Sequence, residues 1–459
     1  MTRSGTTSGP ELLVELDRNS RVPLHRQLTD GVREAIRDGR LAAGSRMPST
    51  RVLAHDLGVS RRLVVDAYGQ LVAEGFLRST QGSGTRVTSV EASVAPRPRA
   101  TRGRVDIDFS PGVPDLAGFP RQAWLKALRQ GLSVTESSAL GYVEQHGLLR
   151  TRIALAEYLA RTRALDTDPE RIVLCSGVTQ GLMLLARCVE GPIAMEEPGF
   201  WAHRLMLEHS GARPLPVPVD GSGLDVGALA ESGARAVLVT PSHQSPTGVV
   251  LSASRRAELS GWAREGRLVI EDDYDADYRY DRAPVGALQG ISPDRVAYLG
   301  SVSKTLAPGV RIGWMVLPTD LVEPVRTAKI VADNGSSVLD QIAFAEFLES
   351  GSYDRHLRQM RKRYAERRRA MLEALSRHLP EATVLGAAAG VQLSLEFPDG
   401  YPVDTLIRRA SELRVRVDPL ARCFADRAAA RPGMILGYAD VTESQIRTGV
   451  ELLGRAAHV

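Results

Sequence analysis

Five short apolar runs alternate with helix-length segments between residues 172 and 299, and this spacing narrows the fold more than any other feature of the chain. The runs are Ile172-Val-Leu-Cys175, Pro192-Ile-Ala-Met195, Ala236-Val-Leu-Val239, Leu268-Val-Ile270 and Val296-Ala-Tyr-Leu299. Segments such as 179–189 and 252–264 separate them and are long enough for a helix. Runs that are apolar throughout read as parallel strands buried on both faces, so the alternation predicts an α/β sheet covered by helices on both sides. In such sheets ligands bind outside the carboxyl ends of the strands. The polar clusters of this chain follow those ends.

A chain of 459 residues is too long for one small domain, and two or three are expected. Residues 11–88 read as a compact unit of short helices ending in a Gly-rich hairpin. Residues 89–104 are rich in Pro, Arg and small residues and read as a linker. Residues 105–459 form the remainder, of which about 336–459 contribute a smaller domain. Cys175, Cys188 and Cys423 are odd in number and lack ligand spacing, so neither disulfides nor a metal site is expected. No apolar run is long enough for a bilayer and no signal peptide is read at the start, so no membrane partner and a cytoplasmic location are expected. Residues 1–104 carry 17 Arg against 10 acidic residues, or +7, while the rest carries 41 basic and 44 acidic residues, or −3. A basic first quarter points to a polyanion-binding module, or to an arginine-rich genome and chance asymmetry.

From Pro23 to Gly39, Leu24, Leu28, Val32 and Ile36 recur every four residues and predict one amphipathic helix. Ser49 can cap a short helix that stops at Gly58, and Ser60 a second that runs to about Glu74. Two short helices about a glycine turn form a helix-turn-helix, or a small helical dimerisation unit with a basic surface. Leu77 to Val87, with Gly82-Ser-Gly84 at its tip, reads as a β-hairpin wing. Pro23-Leu24, Met47-Pro-Ser-Thr-Arg51, Leu57-Gly-Val-Ser-Arg61 and Gly82-Ser-Gly84 resemble the winged helix of the GntR family of bacterial regulators. The resemblance implies contacts to operator DNA from Arg51, Ser60, Arg61, Arg62, Gln81 and Gly82.

The other chemical signal is Lys304, in Gly300-Ser-Val-Ser-Lys-Thr-Leu-Ala-Pro-Gly-Val-Arg-Ile-Gly-Trp314. Only Lys126, Lys304, Lys329 and Lys362 are lysines, in a chain whose basic residues are otherwise all arginine. A desolvated lysine can lose its proton and form a Schiff base with an aldehyde, which arginine cannot. The hydroxyls around it and Arg311 suit a phosphate, and together they suggest pyridoxal 5′-phosphate (PLP). Ser176-Gly-Val-Thr-Gln-Gly181 joins a strand to a helix whose N-terminus can hold a phosphate, although such a turn is commonly only a turn. Glu271-Asp-Asp-Tyr274 offers a carboxylate for a pyridine nitrogen and a phenol for a ring oxygen; a helix cap or metal site would use the same residues. Ser245-Pro-Thr-Gly248 reads equally as a plain turn.

In this order, the pieces resemble fold-type I, aspartate-aminotransferase-like enzymes over residues 105–459. With the winged helix in front, the chain resembles the MocR subfamily of GntR regulators: a multi-domain α/β protein with large and small aminotransferase-like domains. The resemblance implies Lys304 as the Schiff-base lysine, Asp272 as the pyridine-nitrogen partner and Tyr274 as donor to the 3′-oxygen. It implies Val178, Thr179, Ser301, Ser303 and Arg311 at the phosphate and Phe200 stacked on the ring. Tyr142 would reach the phosphate of a neighbouring subunit in a homodimer, whose N-terminal domains could be swapped. Two positions depart from the enzymes. Ser245 replaces the asparagine that supports the 3′-oxygen, and Ile435, in Met434-Ile-Leu-Gly-Tyr438, replaces the arginine that forks onto a substrate carboxylate. Arg422 and Arg431 are the candidates to substitute for it.

The expected function is a transcription regulator that senses PLP or an amine through Lys304, with vitamin B6 synthesis a candidate target. A working aminotransferase and a DNA-binding dimer with a vestigial enzyme domain are the alternatives; the missing carboxylate arginine argues against steady transamination.

Overall fold

The computed structural model describes residues 16–80, 84–88, 105–142, 144–165, 167–281 and 285–458. The chain divides into two compact units at Arg102 and Gly103.

The first unit holds α1 (Leu24–Arg37), α2 (Thr50–Asp56), α3 (Arg61–Ala73) and a hairpin of β1 (Leu77–Thr80) with β2 (Gly84–Val87). Leu28, Val32 and Ile36, one face of α1, enter a single core with Leu53, Val64, Leu71 and Leu77. The cap oxygens of Ser49 and Ser60 each accept from a backbone N–H three residues on, at 3.3 Å, which fixes where α2 and α3 begin. Gly58 adopts φ 62° in the turn between them, a conformation that disfavours residues with a Cβ. Tyr68 of α3 donates to the Pro48 carbonyl at 3.1 Å and ties the second helix to the start of the first. The hairpin tip, with Gln81 and Gly82, lies outside the described residues, as does the linker 89–104.

The second unit opens with β3 (Ile107–Asp108), α4 (Arg121–Val134) and α5 (Leu149–Arg163). Its main sheet contains β4 (Ile172–Cys175), β5 (Ile193–Glu197), β6 (Pro214–Asp220), β7 (Gly223–Leu224), β8 (Ala236–Val239), β9 (Leu268–Asp273), β10 (Val296–Ser301) and β11 (Gly313–Val316). The spatial order is β4-β11-β10-β9-β8-β5-β6-β7. Side chains alternate across it as the pleat requires: Leu174, Tyr298 and Trp314 face one apolar layer, and Val173, Leu299 and Met315 the other. The helices α6 (Val178–Cys188), α7 (Trp201–His209), α8 (Val226–Glu231), α9 (Ala253–Arg264), α10 (Thr319–Asp333) and α11 (Val338–Glu349) follow in sequence.

All five runs read from the sequence are strands, but one pairing differs from the expectation. The strands β5, β8, β9 and β10 lie parallel, whereas β4 pairs only with β11, and antiparallel. The sequence reading passed over β11 because its four residues, Gly-Trp-Met-Val, lie inside the Lys304 motif with no turn marking their start. Its reversed direction brings Gly313 back beside the β4–α6 turn.

A long helix, α12 (Ser352–His378), leads to β12 (Thr383–Leu385), β13 (Gln392–Glu396), α13 (Val403–Glu412), β14 (Val415–Arg416), β15 (Asp418–Pro419), β16 (Gly433–Gly437) and α14 (Glu443–Ala457). An antiparallel sheet of order β12-β13-β16-β15 packs here. Its core takes Met360, Tyr364 and Met371 from α12, and Ile107 and Phe109 from the beginning of the unit. The helix α11, read from sequence with the C-terminal part, instead buries Phe344 and Phe347 in the layer shared with α5. Tyr353 also lies in that layer, so α12 runs from one core into the other.

Candidate functional site

Lys304 follows the carboxyl end of β10, and its neighbour anchors it. The Thr305 carbonyl accepts from His356 Nε2 at 2.8 Å, and its hydroxyl accepts from Tyr353 at 2.8 Å, so α12 fixes the turn. Lys304 Nζ donates to the Gly112 carbonyl at 2.5 Å. A Cβ on Gly112 would lie 2.7 Å from that nitrogen, so the close approach depends on glycine at φ 75°. Burial lowers the pKa of Lys304, with Asp275 and Asp272 opposing. The neutral, nucleophilic amine therefore persists to lower pH than in an exposed lysine.

Asp272, near the end of β9, is buried with His203 Nε2 3.2 Å from Oδ2. Its Oδ1 is buried without a hydrogen-bond partner. A buried carboxylate oxygen lacking a donor is costly unless a ligand supplies one. Nearby, His243 Nδ1 is 3.0 Å from both Asp275 Oδ2 and Tyr274 Oη. A carboxylate only accepts, so Nδ1 carries the proton, and the Tyr274 hydroxyl keeps its own to donate elsewhere. Burial pushes the Tyr274 phenol well above its ordinary range, aided by Asp275 and Asp272 and opposed by a hydrogen bond with Ser245. Tyr274 thus remains a donor at neutral pH.

The anion end is built by the turn from β4 into α6. Gly177 has φ 100°, and a Cβ on Gly313 would lie 2.6 Å from the Gly177 Cα, so two backbones meet where only glycines fit. Gln180 fastens the turn: it accepts from Ser176 N at 2.8 Å and donates to Asp333 at 2.7 Å. Fully buried Lys329 holds that same carboxylate at 2.6 Å. The helix start presents free N–H groups and the positive end of a dipole. Arg311 lies alongside, at φ 56°, and makes no hydrogen bond to any described residue.

One cavity collects Val178, Thr179, Phe200, Ser245, Asp272, Tyr274, Ser301, Ser303, Lys304 and Arg311. Tyr142 is outside its wall and 97% exposed. The sequence reading missed Gly112, Trp201, His203 and Gln392, which also line it. His203 had a usable signal: it follows Phe200 by three residues, so one helical turn places both on the same side, and their rings meet edge-on at 5.1 Å. PLP fits this donor set: the orphaned Asp272 oxygen suits a protonated pyridine nitrogen, and Arg311 with the α6 start suits the phosphate. Asp272→Asn should weaken PLP binding by about 1–2 kcal/mol, roughly 5- to 30-fold, the difference between a charge-assisted and a neutral hydrogen bond. Fluorescence titration of the full chain checks this; unchanged affinity would place the pyridine nitrogen elsewhere.

In the first unit Arg51, Ser60, Arg61 and Arg62 are all exposed on α2 and at the start of α3. No acidic residue occupies the first turn of α3, which leaves that positive end open to phosphate. Val52 and Val65, 51% and 45% exposed, lie among these arginines and suit thymine methyl groups in a major groove.

Comparison with known proteins identifies the family of each unit. Residues 24–87 match the family of bacterial regulatory proteins, gntR family, and residues 105–409 match aminotransferase class I and II. The chain is 35% identical to the probable rhizopine catabolism regulatory protein MocR of Rhizobium meliloti, over 97% of this chain and 96% of that protein. It is 32% identical to the HTH-type pyridoxine biosynthesis transcriptional regulator PdxR of Corynebacterium glutamicum, over 95% and 96%. Among solved structures, the Pyrococcus horikoshii kynurenine aminotransferase superposes with a TM-score of 0.72 at 28% identity, covering 78% of this chain and 91% of the other.

Proposed function

The chain belongs to the MocR subfamily of GntR regulators, PLP-binding transcription regulators with an aminotransferase-like domain, and from that premise we propose that it senses PLP, or an amine reaching it, at Lys304. The observation that carries this reading is the convergence of three groups on one cavity: the Lys304 amine, which donates to the Gly112 carbonyl, the orphaned Asp272 oxygen and Arg311. Bound there, PLP supplies an aldehyde for a lysine Schiff base and a ring that withdraws electrons.

The residues of the chain do the rest. Arg311 and the α6 start hold the phosphate, Asp272 keeps the pyridine nitrogen protonated, and Tyr274 donates to the ring oxygen. His203 and Phe200 cover the ring, and α12 keeps the Lys304 turn in place through Thr305. Tyr142, exposed and outside the wall of its own cavity, serves the cavity of a second subunit in a homodimer. Ligand at Lys304 then favours one arrangement of the dimer over another, and with it one presentation of the two winged helices to operator DNA. The likeness to PdxR, a pyridoxine biosynthesis transcriptional regulator, makes pyridoxine biosynthesis a candidate target.

Ile435 is buried in the cavity wall where an enzyme would fork an arginine onto its substrate. Steady turnover is therefore not expected. Full-length protein mixed with PLP, common α-amino donors and a keto acid should yield no more product than free PLP does. Sustained product formation with any such pair would favour the aminotransferase reading instead.

A further inference from the structure

One of the four lysines has no part in the site as described so far. Lys329, on α10, is fully buried, in a chain whose other cationic side chains are nearly all arginine. Its Nζ donates to both oxygens of Asp333, at 2.6 and 2.7 Å, and to the Ser336 hydroxyl at 3.0 Å. An ammonium has three protons, so each is taken. Ordering a buried lysine costs desolvation and side-chain entropy. The apolar layer beneath α10, with Val322 and Val325, does not need a cation.

What the cation holds lies at the anion end of the cavity. Asp333 accepts from Gln180 Nε2 at 2.7 Å, and Gln180 Oε1 accepts from Ser176 N at 2.8 Å. With that N–H taken, Val178 N and Thr179 N remain at the helix start, bonded to no described residue. Both residues line the cavity. Burial would raise the Asp333 carboxyl, but bonds from Gln180, Lys329 and Gly335 N hold it below its ordinary value. A charged carboxylate thus stands one side chain behind a site suited to a phosphate, and like charges repel. The lysine opposes it. Burial pushes the Cys175 thiol, at the end of β4, up to about 11, with a backbone bond at Gly177 and the charges of Lys329 and Arg311 pulling against it. Both cations are therefore felt at this turn.

We propose that Lys329 is a positioning residue of the phosphate site: it cancels the Asp333 charge and keeps that carboxylate fastened to Gln180, so the α6 start meets an anion without repulsion. The inference rests on the reading of Arg311 and the α6 start as the phosphate end, and adds the residue that acts from behind it. Lys329 touches no ligand and works only through Asp333 and Gln180.

The test compares PLP with pyridoxal, which has the same aldehyde and ring but no phosphate. Full-length protein is titrated with each, and the preference is the ratio of the concentrations that half-develop the visible band. Lys329→Met fills the same apolar space without the charge and should lower the preference for PLP about 10-fold, with pyridoxal little changed. Adding Asp333→Asn removes the second charge, keeps an acceptor for Gln180, and should recover most of the preference. A lysine that only supports the fold would show no such rescue. Gln180→Met, at a half-buried position, cuts the same relay from outside the core and should also lower the preference; it decides the matter if Lys329→Met does not fold. A preference that stays at the wild-type level in Gln180→Met, or in folded Lys329→Met, would overturn the proposal. So would a loss in Lys329→Met that Asp333→Asn leaves uncorrected. Equal affinity of the wild type for PLP and pyridoxal would fail the phosphate reading first, and the role of Lys329 with it.

Discussion

Lys304→Ala is expected to abolish the visible band that the wild-type protein develops with PLP, and to leave no cofactor on the chain after borohydride reduction. The loss should be complete, because Lys304 is the one lysine in the wall of the described cavity. Lys329, the other buried lysine, is held between Asp333 and Ser336. Arg311, Asp272 and the α6 start are untouched, so the variant should still take up PLP without a bond, seen as quenching of protein fluorescence. That separates the covalent step from the cradle. The pH course carries a sign. The pKa of Lys304 is depressed, burial being the main cause, so the rate of band formation should fall as pH drops through a value below that of free lysine. A fall at or above the ordinary lysine range would mean that the side chain is solvated.

The second large effect is on DNA. Arg61→Ala with Arg62→Ala removes two exposed cations at the start of α3, where a helix N-terminus meets phosphate. The Ser60 cap remains, and alanine favours the helix. Arg61 gives up one long contact to Thr50 at 3.4 Å, a small loss. The slope of log K against log salt should fall by about two for each winged helix on the DNA, and affinity near physiological salt by roughly 30-fold or more. Fluorescence anisotropy across a salt series measures both. A double variant that binds as the wild type does would remove the start of α3 from the interface.

Much of this was legible in the sequence, for physical reasons that differ from place to place. The strands showed because burial on both faces forces unbroken apolar runs. Ser49 and Ser60 marked helix starts because a hydroxyl there satisfies a stranded N–H. Lys304 stood out in a chain that otherwise uses arginine. By contrast β11 stayed hidden inside a motif already read for its chemistry. The partner of Lys304, the Gly112 carbonyl, lies 192 residues away, and backbone atoms leave no trace in composition. His203 could be matched to Asp272 only once α7 and the end of β9 were placed together. Arg422 and Arg431 could be told apart only with coordinates, because nine residues apart in sequence they point to different surroundings: the cavity wall and open solvent.

The central claim is that occupancy at Lys304 governs the winged helices, and it is tested by DNA binding of the full-length protein with and without PLP. The probe is a fragment that the protein itself enriches from genomic DNA, with Lys304→Ala measured beside the wild type. The account predicts that PLP changes the affinity or the footprint of the wild type and leaves those of Lys304→Ala as they were. Identical binding curves and footprints for PLP-loaded and PLP-free wild type, with the visible band present, would contradict it.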